Sequence, residues 1–491
     1  MAEPVDAAGL PTELGAVDYL LHRGEANPRT RSGIMAVEIL DTTPNWDRFR
    51  ARFENVSRRV LRLRQKVVVP TLPTTAPRWV VDPDFNLDFH VRRMRVAEPG
   101  TLREVFDLAE VMLQSPLDIA RPLWAVTLVE GLAGGQAATL LHLSHAVTDG
   151  VGSVEMFAQI YDLERDPPPA PTPPQPIPED VSPTDLMREG VIHLPTAVVG
   201  GIRDALWGAA SVLGRAVVNP MSTVAAVADY ARSSVRVMRR AADPSPLLQR
   251  RSLASRSEAI DMLLADLHRA AKAGGGSIND AYLAGLCGAL GRYHQALGVP
   301  LATLPMAVPV NLRSQSDPAG GNRFTGVNLA APVGTADPVE RMRKIRAQMT
   351  QRREEPAMDV VGSIAPLLSI LPAPLLESMT SSVIASDVQA SNVPVYPGDT
   401  YIAGAKILRQ YGIGPLPGVA MMVVLISRGG YCTVTVRYDR AAVRDEQLFA
   451  RCLLEGFDEI LALAGEPAPH AVPASFDVQP ADASARSVSG S

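Results

Sequence analysis

Apolar and polar positions along the chain predict two α/β regions, the first of which spans residues 1–163. There, helical periodicity alternates with short strand-like runs of apolar residues. Two strands are predicted over 123–130 and 137–144, joined by the glycine-rich turn GLAGGQ, and a helical pattern resumes over 154–163. Residues 1–163 are therefore expected to form an amino-terminal domain.

The second α/β region spans residues 257–466. A helical pattern over 260–274 runs into three consecutive glycines, which favour a helix stop. Strand-like runs follow over 305–310, 419–426 and 431–438. The last two runs flank Arg428-Gly429-Gly430, a hairpin signal. Residues 467–491 are rich in alanine, serine and proline and are expected to form a disordered tail.

A connector over 164–256 separates the two regions. Its first part, DPPPAPTPPQPIPEDVSP over 166–183, is too rich in proline for a helix or a sheet interior. Residues 183–256 have an alanine-, valine- and leucine-rich pattern that predicts helix. Within them, 201–256 contain nine arginines, no lysine and three acidic residues, hence a net charge of +6. Such a segment either lies on anionic lipid or forms an ordinary solvated helix face.

Composition excludes several classes of function. The chain has 491 residues, 46% of them hydrophobic, and its net charge of −5 with mixed signs does not indicate a nucleic-acid partner. No phosphate-binding loop, dinucleotide fingerprint or metal-spaced cluster is present, so no metal or cofactor is expected. Cys287, Cys432 and Cys452 are expected to be buried small hydrophobic residues.

The chain is expected to be cytoplasmic. The first twenty residues contain four acids and no lysine or arginine, which does not fit a secretory signal. The longest apolar candidate for a membrane span, 360–376, is 17 residues long and contains three prolines. A spanning helix needs about 20 apolar residues, so at most peripheral contact with the inner membrane surface or with lipid inclusions is expected.

His145 is the candidate catalytic residue because it stands where the predicted strand 137–144 ends. Strand alternation places His145 on one face of the strand and Ser144 on the other, while Gly150 permits a tight exit from the strand. The spacing of His145 to Asp149 is a weak signal by itself. By spacing alone, the pattern fits better with a hydrogen-bonded histidine at a strand end and an Asp149 that caps the next helix.

The segment around His145 resembles the active-site region of the bacterial wax ester synthase/diacylglycerol acyltransferase family. Residues 115–157 contain RPLW and SHAVTDG, and the family carries the H-H-x-x-x-D-G motif of CoA-dependent acyltransferases. Ser144 replaces the first motif histidine. Further blocks lie in family order: TELGAVDYLL with Asp18, the pair Asn279-Asp280, AVPVNLR followed by GGNRFTGVNLAAPVG, SNVPVYPGDTYIAGAKI with Asn392, and GIGPLPGVAMMVVLIS. The last block departs from the family pattern, because it continues as SRGGY where the family tends to have Ser-Tyr.

The resemblance implies an α/β fold of two chloramphenicol-acetyltransferase-like domains, with mixed sheets flanked by helices and the active site at their interface. It implies transfer of a fatty acyl group from acyl-CoA to diacylglycerol, or to a long-chain alcohol in wax ester synthesis. His145 would act as general base, since an imidazole with a pKa of about 6.5 suits proton transfer near neutral pH.

The resemblance also implies roles for other residues. Asp149 would pair with an arginine, either Arg121 or Arg313, and hold the loop. Asn279 would orient substrate or stabilise the oxyanion, and the alternative is a helix N-cap with Asp280 in the first turn. The remaining motif positions, which would support the site or bind substrate, are Ser144, Gly150, Asp280 and Asn392.

Two other hypotheses remain open at this point. Ser144 favours an acyltransferase of the same fold that uses another acceptor or a carrier-protein donor. The basic segment around Trp207 favours a weakly active paralogue that binds lipid inclusions.

Overall fold

The computed structural model describes residues 11–147, 159–168, 171–192, 240–311, 324–353 and 386–476. The helices whose two ends are described are α1 Ala16–Gly24, α2 Trp46–Arg59, α3 Leu87–His90, α4 Leu102–Gln114, α5 Leu264–Ala273, α6 Ile278–Ala296, α7 Pro338–Arg353 and α8 Glu446–Leu461. The strands are β1 Gly33–Leu40, β2 Gln65–Val68, β3 Arg78–Val81, β4 Val91–Arg95, β5 Trp124–Glu130, β6 Ala137–Ser144, β7 Ser255–Leu263, β8 Leu304–Asn311, β9 Phe324–Ala331, β10 Val388–Pro394, β11 Tyr401–Ile402, β12 Ala405–Ile413, β13 Met421–Arg428, β14 Tyr431–Asp439 and β15 Val472–Pro473.

The first sheet has six strands in the order β11-β12-β1-β6-β5-β4. Only β4 and β5 pair in parallel, so the sheet is mixed. Every residue of β6 is buried, because Phe53 of α2 packs on the core on one face and Phe106 of α4 on the other. β11 and β12 belong to the carboxyl-terminal half of the chain, so the two halves share this sheet.

The second sheet has seven strands in the order β15-β7-β14-β13-β10-β8-β9, with β10 parallel to both β13 and β8. Helix α6 lies almost wholly in its core because its residues are mostly small or apolar. Helix α8 packs closely against α6, and a Cβ atom on Gly456 would lie 2.4 Å from the Ala289 nitrogen. The close packing of these two helices therefore requires glycine at that position.

A buried polar contact joins the two halves. Glu110 on α4 accepts hydrogen bonds from Ser257 of β7 and pairs with Arg437 of β14 at 3.0 Å. Arg103, about two helical turns earlier at the start of α4, pairs with Glu258 at 3.0 Å. These charges are shielded from water and paired, the condition under which buried ions are tolerated.

The predicted class, mixed sheets flanked by helices, is confirmed. The strands predicted around the two hairpins match β5, β6, β13 and β14 within a few residues. Gly429 and Gly430 adopt positive φ angles of 55° and 80° in the turn between β13 and β14. The division of the chain into domains stays a prediction.

Several sequence predictions were wrong in detail. Residues 260–263 belong to β7 because Ile260 pairs with Val434, and the helix begins only at Leu264. Residues 240–254 are not helical. Part of the predicted disordered tail is ordered, since β15 pairs with β7 and the Ser475 hydroxyl donates to Glu258. Residues 154–158, 193–239 and 360–376, the last of which was considered as a membrane span, lie outside the described residues.

Three chemical features follow from the described residues. All three cysteines are free and buried, as predicted. Within the described ranges no helix combines the length and apolarity needed to cross a bilayer. The same residues contain no group of histidine, cysteine or acidic side chains that could hold a metal ion.

Candidate active site

His145 lies at the end of the most buried strand of the first sheet. Strand β6 is flanked by β1 and β5, and Ser144 at its end is opposite Gly33 of β1. The chain then turns, because the Val147 N–H donates to the Ser144 carbonyl at 3.1 Å. His145 and Ala146 are the central residues of this turn, and His145 is half-buried. The buried strand β6 thus holds His145 at its end, with the side chain partly accessible.

A buried carboxylate holds this turn. The Ser144 hydroxyl donates to the Glu25 carboxylate at 2.7 Å and accepts from the Ala146 N–H at 3.2 Å. The Ser32 hydroxyl donates to the same Glu25 oxygen at 2.8 Å. Burial raises the pKa of Glu25, while the hydrogen bonds from both serines lower it. The residue in the first motif position therefore serves to fix the turn that carries His145.

A second histidine lies on the same strand but is enclosed. His142 is 3% exposed, and burial lowers its pKa to about 3, with nearby Arg437 and Arg31 acting in the same direction. Gly33 packs on it, since a Cβ atom there would lie 2.8 Å from His142 Nε2. The imidazole of His142 is therefore neutral at physiological pH.

The RPLW block forms the other side of the β6 hairpin. The indole of Trp124 donates to the Leu63 carbonyl at 2.7 Å, and its ring stacks on His90 at 4.7 Å. His90 Nδ1 lies 2.7 Å from the Trp124 carbonyl oxygen. This block is thus a rigid support for the strand pair that ends at His145.

The Asn279-Asp280 pair lies at the amino end of α6. Ser277 is the N-cap: its hydroxyl accepts from the Asp280 N–H at 3.2 Å, and Asp280 accepts from the Ser277 N–H at 2.8 Å. The capping role considered for Asn279 therefore belongs to Ser277, whereas Asp280 does lie in the first turn. Asp280 also pairs with Arg346 of α7 at 3.1 Å, so its contacts run within the carboxyl-terminal half. The role of Asn279 toward substrate stays a prediction.

The other predicted residues are placed as follows. Asn392 lies on β10, opposite Leu425 of β13, and its side chain is exposed. Arg121 pairs with Asp118 at 3.3 Å. Asp149, Gly150 and Arg313 lie outside the described residues.

Sequence reasoning missed Glu25, Ser32 and Gly33. No local pattern marks them, because Glu25 and Ser144 are 119 residues apart in the chain. The local signal was an acidic residue four positions after the helical TELGAVDYLL block, and that signal is weak.

Comparisons with known protein families match most of the chain. The model of the wax ester synthase/diacylglycerol acyltransferase catalytic domain matches residues 3–282, and that of the WS/DGAT C-terminal domain matches residues 320–461. A protein of Mycobacterium tuberculosis named as a candidate diacylglycerol O-acyltransferase is 78% identical over 491 residues, which cover 100% of both chains.

Solved structures show the same fold. The wax ester synthase/diacylglycerol acyltransferase from Marinobacter aquaeolei is 20% identical, with a TM-score of 0.62 over 92% of this chain and 100% of that one. The first condensation domain of the CDA synthetase is 14% identical, with a TM-score of 0.53 over 96% of this chain and 98% of that one. At these identities the likeness concerns the fold alone.

Proposed function

The chain belongs to the wax ester synthase/diacylglycerol acyltransferase family, and we propose that this acyltransferase moves a fatty acyl group from acyl-CoA to the free hydroxyl of diacylglycerol. Long-chain alcohols are the second acceptor in this proposal, and His145 is the general base. The observation that carries it is the half-buried imidazole of His145 at the end of β6, inside the motif that defines the family.

The reaction begins with the acceptor hydroxyl beside His145. The imidazole takes the hydroxyl proton as the oxygen attacks the thioester carbonyl, since an alcohol is a weak nucleophile at neutral pH. A tetrahedral oxyanion forms, collapses and breaks the carbon–sulfur bond. The imidazolium then returns its proton to the departing thiolate, which yields the ester and free CoA. Both substrates meet at His145, so no acyl-enzyme is required.

The surroundings of His145 support this role through positioning. The turn is held by the hydrogen bonds of Ser144 to Glu25 and to the Ala146 N–H. A base that is fixed before substrate binds loses little orientational freedom in the reaction. Asn279 is our candidate for the oxyanion donor, a role whose loss costs about 2.7–4 kcal/mol in other enzymes.

The proposal includes peripheral contact with a membrane or lipid inclusion, because the acceptor is itself a lipid. The net charge of +6 over residues 201–256 supports it, since basic segments are attracted to anionic lipid surfaces.

The test is identification of the product. Purified protein is incubated with labelled palmitoyl-CoA and either diolein or hexadecanol, and the lipids are separated by thin-layer chromatography. We expect labelled triacylglycerol from diolein and labelled wax ester from hexadecanol. Label that appears only as free fatty acid would contradict the acceptor assignment.

A second candidate is an acyltransferase with another acceptor or a carrier-protein donor. Ser144 favours it, because this serine stands where the family has histidine and is engaged with Glu25. Release of free thiol across a panel of acceptors and donors distinguishes the two: the second candidate predicts release with a non-lipid acceptor and none with diolein.

A further inference from the structure

A buried polar cluster lies on the first sheet around Glu38 of β1, a residue that is 2% exposed. The Glu38 carboxylate accepts a hydrogen bond from the Thr139 hydroxyl of β6 at 2.7 Å and one from the Gln410 amide of β12 at 3.3 Å. A third hydrogen bond comes from the hydroxyl of Tyr161. Three adjacent strands and the chain that follows β6 therefore meet at one carboxylate.

Arg428, which stands where the family tends to have tyrosine, belongs to this cluster. It lies at the end of β13 and is 5% exposed. Its guanidinium donates to the Thr400 hydroxyl and lies over the ring of Tyr161, 4.9 Å from the ring centroid. A cation in this position is attracted by the ring, and more strongly so when water is excluded. Glu38 and Arg428 therefore contact two parts of one side chain, the hydroxyl and the ring of Tyr161.

The Tyr161 hydroxyl is a hydrogen-bond donor in this cluster. Burial raises the pKa of Tyr161 well above its ordinary value, and the nearby Glu38 carboxylate acts in the same direction, whereas Arg428 lowers the pKa. The phenol therefore keeps its proton at physiological pH, which the hydrogen bond to Glu38 requires.

The main chain at Tyr161 is held as well. Arg52 of α2 donates to three successive carbonyl oxygens, at 3.0, 2.7 and 2.9 Å, and pairs with a carboxylate at 2.9 Å. These partners are Gln159, Ile160, Tyr161 and Asp162. Contacts from α2, β1 and β13 thus fix both the backbone and the side chain of one tyrosine.

Tyr161 ends a segment of chain that begins at His145. Thr139 lies on the same face of β6 as His145, because alternate residues of a strand share a face, and Glu38 pairs directly with Thr139. Thr139 is about 17 Å from Ser144 at the rise of an antiparallel strand. The Tyr161 hydroxyl is therefore too far from His145 for direct contact. The chain leaves one end of β6 and is fixed again beside the other.

We propose that Tyr161 is a positioning residue of the acyl transfer, which fixes the far end of the segment 145–161 through its contacts with Glu38, Arg428 and Arg52. The inference rests on the proposed function, in which the base is oriented before substrate binds. Buried polar networks rigidify the segments that they join and specify one arrangement of them. The arginine that departs from the family pattern then has a role, since it holds the ring of Tyr161.

The first experiment measures palmitoyl transfer from palmitoyl-CoA to diolein by Tyr161→Phe, a variant that removes only the hydroxyl. We expect kcat to fall about 10- to 100-fold with the KM of both substrates unchanged, because a misplacement of about 1 Å caused far from the chemistry can cost about 100-fold. Tyr396→Phe, at a tyrosine that is 48% exposed, is the matched control and should have the wild-type kcat.

Variants at the partners of Tyr161 separate positioning from a loss of folding. Glu38→Gln keeps an oxygen that accepts from Tyr161 and should retain most of the activity, whereas Glu38→Ala should resemble Tyr161→Phe. Arg52→Gln leaves the cluster intact and releases the main chain, so it should also lower kcat. Rates are compared under conditions in which urea unfolding shows every variant to be folded. A wild-type kcat in Tyr161→Phe and in Arg52→Gln would overturn the inference.

Hydrogen–deuterium exchange tests the anchor without substrate and so separates this inference from the proposed function. Peptides that cover residues 145–161 should exchange faster in Tyr161→Phe than in wild type and in Tyr396→Phe. Equal exchange would reject the anchoring role, even if kcat falls. A wild-type protein that transfers no palmitoyl group to any acceptor would reject the proposed function, and the exchange experiment would still decide whether Tyr161 holds the segment.

Discussion

At the scale of single residues, His145 depends on contacts that the sequence does not reveal. Strand alternation and the family blocks located His145 at the end of a strand, and the structure places it directly after β6. The carboxylate that holds its turn comes from Glu25, far away in the chain. Long-range partners of this kind follow from the fold and leave no periodic trace in the sequence.

We predict that Ser144→Ala destabilises the protein by about 1–3 kcal/mol, the usual cost of leaving a buried polar group without its partner. The substitution removes the hydrogen bond to Glu25 and the acceptor for the Ala146 N–H. Urea unfolding measures the change. Ser115→Ala, at an exposed serine, is the control and should change stability by less than about 0.5 kcal/mol; equal effects of the two variants would refute the structural role of Ser144.

We predict that the buried His142 makes the free energy of unfolding depend on pH. Burial lowers its pKa from 6.5 to about 3, so between these values the unfolded chain binds a proton that the folded protein does not. The free energy of unfolding therefore falls as pH decreases from 6.5 toward 3.

His142→Gln should reduce this dependence, as measured by urea unfolding at pH 7 and pH 4.5. Part of it should remain, because burial also lowers the pKa of His22 and of His90 to about 4. The exposed histidine of α5, His268, provides the control: His268→Gln should retain the wild-type pH dependence. A His142→Gln variant with the full wild-type slope would show that another group is responsible.

At the scale of elements, periodicity predicted the hairpins well and the strand-to-helix boundaries poorly. The glycines after Arg428 specify a tight turn, and the turn forms there. Residues 260–263 were predicted as helix because a short apolar run fits both the helical and the strand periodicity. These residues form a strand because they pair with β14. The local sequence contains no information about that partner.

Because α6 and α8 pack closely, two glycine positions at their contact differ in how well they tolerate a side chain. A Cβ on Gly456 would lie 2.4 Å from a backbone nitrogen, whereas a Cβ on Gly285 would lie 3.0 Å from the Phe457 ring, a less severe contact with a side chain. Gly456→Ala is thus expected to cost about 1–3 kcal/mol or more, and Gly285→Ala clearly less. Thermal unfolding of both variants checks the order; the reverse order would contradict the described packing.

At the scale of the whole molecule, the two halves are joined more closely than the sequence indicated. The two α/β regions were predicted as consecutive domains, and β12 of the second region pairs with β1 of the first from Met35 to Leu40. The alternation of apolar and polar residues shows where a strand lies in the chain. It does not show which sheet the strand joins. The prediction that the active site lies between the halves came from the family resemblance, since composition contains no such information.

The buried contact of Glu110 with Arg437 should stabilise this assembly. Glu110→Ala leaves Arg437 buried without its partner, a loss that typically costs about 3–5 kcal/mol. Asp107→Ala on the same helix removes an exposed carboxylate paired with Arg103 and is expected to cost at most about 1 kcal/mol. Similar costs for the two variants, measured by urea unfolding, would show that the contact between the halves contributes little.

The most direct test of the central claim is the rate of palmitoyl transfer from palmitoyl-CoA to diolein by wild type and His145→Ala. Loss of a general base typically slows a reaction by about 100- to 10,000-fold. We predict a fall of that size in kcat, with unchanged stability and with wild-type rates for the exposed control His268→Ala. Equal rates of triacylglycerol formation by wild type and His145→Ala would contradict the assignment of His145 as the base.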